Sequence, residues 1–220
     1  ERRPVTPEVA SSSLVGPAIS CCYVEATARR GRPAPAVFLD RDGTLIEDVG
    51  YVDRLDRLGL YPWSIEAVRL LRRAGYAVVV VTNQAGVARG MIAEQIVLDA
   101  RDHIQDALGR VGEQLDGHYH CPHLHDAAVA AYRTRCACHK PAPGMVLRAA
   151  AELNLDLARS YVVGDRWSDI QLAAAAGCTG ILVRTGYGAS QAAEPPPDLA
   201  PPPVVENLLE AAGWILLRCR

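Results

Sequence analysis

The sequence predicts an α/β fold, a Rossmann-like three-layer sandwich with a mainly parallel sheet. Three observations lead there. Residues 77–81 form a continuous apolar, β-branched run, the pattern of a strand buried on both faces of a parallel sheet. Strand-like and helix-like segments alternate along the 220 residues, as right-handed βαβ units require. The predicted strands run into polar groups, first Asp40 and Asp42, then Thr82, then Asp165, at the carboxyl edge where open α/β sheets place their ligands.

Each element has a local reason. Residues 1–35 mix serines, prolines and basic residues without periodicity, so a poorly ordered extension is expected to precede a single domain over 36–217. Ala36–Leu39 is the first strand, and Gly43 permits a sharp turn directly after the aspartates. Residues 48–53, Asp-Val-Gly-Tyr-Val-Asp, make a polar loop able to wrap a ligand. Ser64 is the expected N-cap of a helix that carries Ile65, Val68 and Leu71 on one face and ends at Gly75. Beyond the 77–81 strand, residues 86–90 form a second edge loop and 94–108 a helix. A short strand over 115–120 follows, then a helix from Pro143-Gly144 to Leu153, with proline where its missing N–H costs little. Residues 161–165 are a strand ending in an acid, 168–176 a helix closed by Gly177, and 180–183 another strand. Six prolines within 194–203 mark a linker-like loop before a last strand and helix over 204–217. The interval from Thr44 to Thr82 holds one helix and one strand, which leaves no room for a large cap domain.

Half of the residues are hydrophobic and the net charge is -2. With no basic block in the chain, a nucleic-acid partner is not expected. No apolar run approaches the ~18–20 residues of a membrane span, and the start lacks the pattern of a secretory leader. These features predict a cytoplasmic, monomeric enzyme acting on a small molecule.

Asp40 and Asp42 stand two residues apart, so both carboxylates face one small volume past the strand end. Like charges that close repel unless a cation intervenes, which predicts Mg²⁺ with a phosphate as its other ligand. Turns and Ca²⁺ loops use the same Asp-x-Asp-Gly pattern, so the pair by itself leaves catalysis open. Of the 23 basic residues a single one, Lys140, is lysine, a compact ammonium where the chain otherwise uses guanidinium.

A second constellation is Cys121-Pro122-His123 and Cys136-Ala137-Cys138, separated by twelve residues. Three thiolates and an imidazole suit tetrahedral Zn²⁺ and leave no open coordination position, so the expected zinc is structural and pins the intervening loop. The His-x-Glu and Cys-x-x-Cys pattern of zinc deaminases is absent. His118, His120 and His125 read as surface or packing histidines, any of them able to replace a ligand. Cys21, Cys22, Cys178 and Cys219 read as inert thiols.

Together these motifs resemble the haloacid dehalogenase superfamily of phosphotransferases. Its four motifs match Asp40-Arg41-Asp42-Gly43-Thr44, Thr82-Asn83-Gln84, Lys140-Pro141, and Gly164-Asp165 with Asp169. Within it, the chain is similar to the small histidinol-phosphate and heptose-bisphosphate phosphatase branch, which carries this zinc loop. Asp48-Val49-Gly50-Tyr51 and the 86–90 loop look more like the heptose-bisphosphate members. The similarity spans roughly residues 36–217.

The resemblance implies that Asp40 is a nucleophile forming an aspartyl-phosphate and that Asp42 is the general acid and base. It puts Thr82 and Asn83 on the phosphoryl oxygens and Lys140 in their field. Mg²⁺ would be held by Asp40, the backbone carbonyls of Asp42 and Arg166, and Asp165, with Asp169 in the outer shell or structural. Zn²⁺ would be held by Cys121, His123, Cys136 and Cys138. Substrate would be met by Asp48, Gly50, Tyr51, Asn83, Gln84, Arg89 and His139. One departure stands out: the family usually has arginine directly before the motif lysine, and this chain has His139, which cannot make the two-pronged grip of a guanidinium. Either Arg89, Arg133, Arg135 or Arg166 compensates, or the substrate differs.

The expected function is Mg²⁺-dependent removal of the 7-phosphate of D-glycero-D-manno-heptose 1,7-bisphosphate. The alternatives are a phosphatase for histidinol phosphate or another small phosphomonoester, and a non-catalytic, zinc-stabilised binding protein. A polynucleotide phosphatase would need a basic groove.

Overall fold

The computed structural model describes residues 31–51 and 54–218. Six strands, β1 (Ala36–Leu39), β2 (Ala77–Asn83), β3 (Gly117–Cys121), β4 (Tyr161–Gly164), β5 (Thr179–Val183) and β6 (Val204–Val205), form one sheet. Their order is β3-β2-β1-β4-β5-β6. Every neighbouring pair is parallel, so the expected mainly parallel sheet is wholly so among the described residues. The helices are α1 (Ser64–Arg73), α2 (Ala85–Ala88), α3 (Glu94–Gly109), α4 (Gly144–Leu153), α5 (Trp167–Ala176), α6 (Gly188–Ala193) and α7 (Leu208–Leu216).

Alternation along β1 explains the layers. Val37 and Leu39 face a cluster with Val68 and Leu71 of α1, Ile104 and Leu108 of α3, and Leu208 and Ile215 of α7. Ala36 and Phe38 face the other side, against Met145 and Ala149 of α4 and Leu172 and Ala173 of α5. Residues of both clusters are buried, and burying a side chain such as Phe38 contributes roughly 1.5–3 kcal/mol. The strand order reverses between β1 and β4: the chain winds outward through β2 and β3, then returns to the opposite side of β1. At such a switch point the loops leave in opposite directions and open a crevice at the carboxyl ends of the strands. Asp40 and Asp165 directly follow β1 and β4 there.

Several local expectations differ from what forms. Ser64 is not the cap of α1: Trp63 holds that position without a side-chain hydrogen bond, and the Ser64 hydroxyl donates to the Leu45 carbonyl at 2.6 Å, bracing the loop after the aspartates. The strand β2 extends past the apolar run because Thr82 and Asn83 register with His120 and Cys121 of β3. Ala85–Ala88 form α2, which takes in the first three residues of the loop expected over 86–90, and α6 was not foreseen. Of the expected extension, residues 1–30 lie outside the described residues, as do Val52 and Asp53 of the polar loop and Cys21, Cys22 and Cys219. Ala34 donates to the Asn154 carbonyl at 3.1 Å and bridges to Leu155. Among the described residues no helix is long and apolar enough to cross a membrane.

Candidate active site

At the crevice floor, the Asp40 amide donates to the Val163 carbonyl at 2.9 Å, which ties the residue to β4. Lys140, brought in from the loop before α4, lies with Nζ 2.7 Å from Asp40 Oδ1 and 2.6 Å from Asp169 Oδ1. It also donates to the Val81 carbonyl at 3.1 Å. Burial opposes the lysine's charge, but Asp169 and Asp40 outweigh it and hold its pKa above the ordinary lysine range. Asp40 is pushed up to about 6 by burial, against the pull of Lys140 and with Asp169 and Asp42 adding to the rise.

Asp165 completes the floor. Its Oδ2 accepts from the Tyr187 amide at 2.8 Å, while Oδ1 is buried with no hydrogen-bond partner. Burial and then the Asp40 charge push it up to about 8. Two glycines make room for it: with φ of +80° at Gly43 and +56° at Gly186, a Cβ on either would come within 2.3 Å of Asp165 Oδ2. Carboxylate oxygens of Asp40, Asp165 and Asp169 lie within 4.8 Å of one another. Three carboxylates against one ammonium leave excess buried negative charge, and the partnerless Oδ1 is a hard donor. The residues therefore fit a divalent cation of the Mg²⁺ type. Asp169 has other work as well: its Oδ2 accepts from the Arg166 amide at 3.1 Å and caps α5.

The second aspartate is held sideways. Arg41, only 2% exposed, places Nη2 2.9 Å from Asp42 Oδ1 and Nε 3.2 Å away. Gln84 Nε2 donates to Asp42 Oδ2 at 2.9 Å and to Thr82 Oγ1 at 3.0 Å, linking three motif residues. The Asn83 amide is spent on the backbone of Lys140, donating to its carbonyl at 3.2 Å and accepting from its N–H at 3.0 Å. This exchange docks the lysine segment against the end of β2.

Above the floor is a cavity of about 580 Å³ whose rim comes from separate loops. Asp48 accepts from the Gly50 amide at 2.8 Å and lies 3.6 Å from Arg166 Nη2. The Arg166 guanidinium sits 3.9 Å from the Tyr187 ring centroid. Across from them, Arg89 Nη1 donates to the Tyr51 hydroxyl.

The four predicted zinc ligands converge, with donor atoms within 4.8 Å of one another. Sulfur–sulfur separations run from 3.1 to 3.5 Å. His123 Nδ1 lies 3.6 Å from Cys138 Sγ and 3.8 Å from Cys121 Sγ. These values approach the ~3.8 Å edge of a tetrahedron built on Zn–S bonds of ~2.3 Å, so the set fits Zn²⁺. The Gly144 amide at the start of α4 donates to the Ala137 carbonyl at 2.7 Å, clipping the cysteine loop to the helix. His139 turns Nδ1 toward Cys121 Sγ at 3.7 Å, and burial lowers its pKa. His118 and His120 are buried packing residues, the first held well below the ordinary histidine range by burial and the second 2.9 Å from Glu94 Oε1. His125 is exposed, and Cys178 is half-buried.

The cavity gathers the predicted residues that follow β1, those at the end of β2, the 48–51 loop, Arg89, the His139-Lys140 pair and Arg166; Asp165 and Asp169 lie buried and do not line it. Arg133 and Arg135 do not line it either. Four residues of the site were missed: Arg41 beneath it, and Ala85, Ser168 and Tyr187 in its lining. A buried arginine between two acids on a strand end must be paired, which was a usable signal for Arg41. Tyr187 follows β5 at the same carboxyl edge that marked the other residues.

A model of the HAD-hydrolase-like family matches residues 137–211. A D-glycero-beta-D-manno-heptose-1,7-bisphosphate 7-phosphatase of Yersinia pestis is 46% identical over 183 residues, covering 83% of this chain and 89% of that protein. The chain belongs to the haloacid dehalogenase superfamily, in its heptose-bisphosphate phosphatase branch. The Escherichia coli K12 member of that branch is 43% identical to this hydrolase over 186 residues, 84% of this chain and 90% of its own. In structure the hydrolase matches the D,D-heptose 1,7-bisphosphate phosphatase of B. bronchiseptica complexed with magnesium and phosphate. The TM-score is 0.73 at 35% identity, covering 83% of this chain and 98% of the other. As a haloacid dehalogenase member of this branch it is a phosphoric monoester hydrolase.

Proposed function

We propose that this hydrolase removes the 7-phosphate of D-glycero-D-manno-heptose 1,7-bisphosphate, with Asp40 as nucleophile and Asp42 as general acid and base. The observation that carries the reading is the state of Asp40. Lys140 Nζ and the Arg41 amide, at 2.7 and 2.8 Å, both hold Oδ1, which leaves Oδ2 to attack. The Oδ2–phosphorus bond forms as the bond from phosphorus to the sugar oxygen breaks, and Asp42 gives that oxygen its proton. Water then attacks the aspartyl-phosphate, Asp42 takes the water's proton, and inorganic phosphate leaves. Lys140 and Thr82 stabilise the charge on the phosphoryl oxygens, while Asn83 and Gln84 keep Lys140 and Asp42 in place.

Asp40, Asp165 and the backbone carbonyls of Asp42 and Arg166 would hold Mg²⁺, which when bound neutralises phosphate charge. Cys121, His123, Cys136 and Cys138 would hold a structural Zn²⁺. A cytoplasmic location belongs to the same reading, because reduced thiols persist in that compartment.

The test is phosphate release, with Mg²⁺ present, from the heptose bisphosphate and from histidinol phosphate, using Asp40→Asn as the blank. Turnover of the bisphosphate at least about 100-fold above the blank, and above that of histidinol phosphate, is expected. A preference for histidinol phosphate would replace the heptose assignment, and equal rates in wild type and Asp40→Asn would remove Asp40 from the chemistry.

A further inference from the structure

A bisphosphate leaves one phosphate away from the reacting centre, and the position where the branch usually carries arginine is His139 here. Its Nδ1 faces Cys121 Sγ at 3.7 Å, so this imidazole is directed at the thiol cluster and offers no fork toward the cavity. The remaining cations facing the cavity are Lys140, Arg166 and Arg89. Lys140 is engaged by Asp40 and Asp169. Arg166 lies near Asp48 and stacks on Tyr187. Arg41, which does not line the cavity, is held by Asp42. Arg133 donates to the Ala127 carbonyl, and Arg135 lines a separate cavity beside the zinc loop.

Arg89 differs from the other two cations that face the cavity. Among the described residues it has no carboxylate partner; its Nη1 donates to the Tyr51 phenol, and the Nε–Nη2 edge remains open. Its backbone is fixed, because the Arg89 amide closes α2 on the Ala85 carbonyl at 3.1 Å. The phenol is fixed too: the Tyr51 ring lies so close to Gly86 that a Cβ there would sit 2.6 Å from a ring carbon. Gly86 thus lets Tyr51 lie flat beside α2 and aim the guanidinium.

We infer that Arg89, oriented by Tyr51 over Gly86, binds the second, non-reacting phosphate of the substrate in place of His139. This rests on the bisphosphate reading above. An open guanidinium edge offers two parallel N–H donors to a phosphate, and an exposed cation with no acid on it among the described residues gives up little to take one.

The test is the ratio of kcat/KM for D-glycero-D-manno-heptose 1,7-bisphosphate to kcat/KM for the 7-phosphate lacking the 1-phosphate. The ratio is independent of the folded fraction, so loss of fold cannot imitate the effect. Arg89→Met is expected to lower it about 100-fold, with Arg89→Lys recovering part and Tyr51→Phe lowering it about threefold. An unchanged ratio in Arg89→Met, or a drop in His139→Ala instead, overturns the inference while the bisphosphate reading stands. A ratio near one in the unsubstituted enzyme overturns it as well. If that enzyme releases no phosphate from the bisphosphate, the functional reading falls and the subsite with it.

Discussion

Arg41 separates the two aspartates in sequence, and its guanidinium grips the second of them from inside the protein. A methionine there would keep the packing and leave Asp42 without its cation. Breaking a fully buried pair costs ~3–5 kcal/mol, but the Asp42 side chain is 20% exposed, so a loss of about 2 kcal/mol is expected for Arg41→Met in urea unfolding. Turnover should fall further than stability does, by about 10- to 100-fold in kcat, because Asp42 is no longer held beside Gln84. A full kcat in a folded Arg41→Met protein would show that the clamp serves only packing. The aspartates and Lys140 were legible as motifs because their chemistry follows from residue type and spacing. Tyr187 was not, since its role depends on meeting Asp165 and Arg166 of another segment, and Arg41 was passed over although its partner Asp42 is its neighbour in sequence.

The loop from β3 to α4 joins the thiol cluster to the chemistry through three consecutive residues, Cys138, His139 and Lys140. If Cys136 holds a metal, its loss reaches the lysine through a short, clipped segment. Cys136→Ser is expected to lower bound zinc, measured by atomic emission, from about one ion per chain. With about 4 kcal/mol lost and ~2–4 °C per kcal/mol for a chain this long, Tm falls by roughly 10 °C. Retained Tm and zinc content would exclude this residue from the metal site. The cysteine spacing showed in advance which four donors converge beside this loop. The short helices α2 and α6 escaped notice because four and six residues carry too few turns to show a periodicity. Ser64 has the side chain of a cap, but the nearby Leu45 carbonyl competes for its hydroxyl.

Two winding directions meet over β1 and β4, and that junction brings two buried acids together. Asp40 and Asp165 have folded-state values of about 6 and about 8, above the 3.8 of an ordinary aspartate. An acid with a raised folded value binds protons more tightly when folded. Its stabilising contribution is complete below about pH 4 and is lost as pH rises through 6 and 8 in metal-free protein. Saturating Mg²⁺ offsets that loss, so the Tm increase it produces should be larger at pH 8 than at pH 6, and binding should release protons in calorimetry with two buffers. An equal increase at both pH values would separate the carboxylates from the cation. The layered fold was legible from the alternation of segments and the buried 77–81 run. The approach of Gly43 and Gly186 to one aspartate was not, because it joins turns far apart in the chain.

The floor of the crevice hangs from β1, β4, α4 and α5, whereas Tyr51 and Arg89 come from the 48–51 loop and the end of α2, which share few of those anchors. Chemistry and selectivity are thus built on separate supports. A lineage, or an engineer, can rewrite what this scaffold recognises by exchanging short surface turns, one at a time, while the machinery that breaks the phosphate ester passes unchanged from each variant to the next.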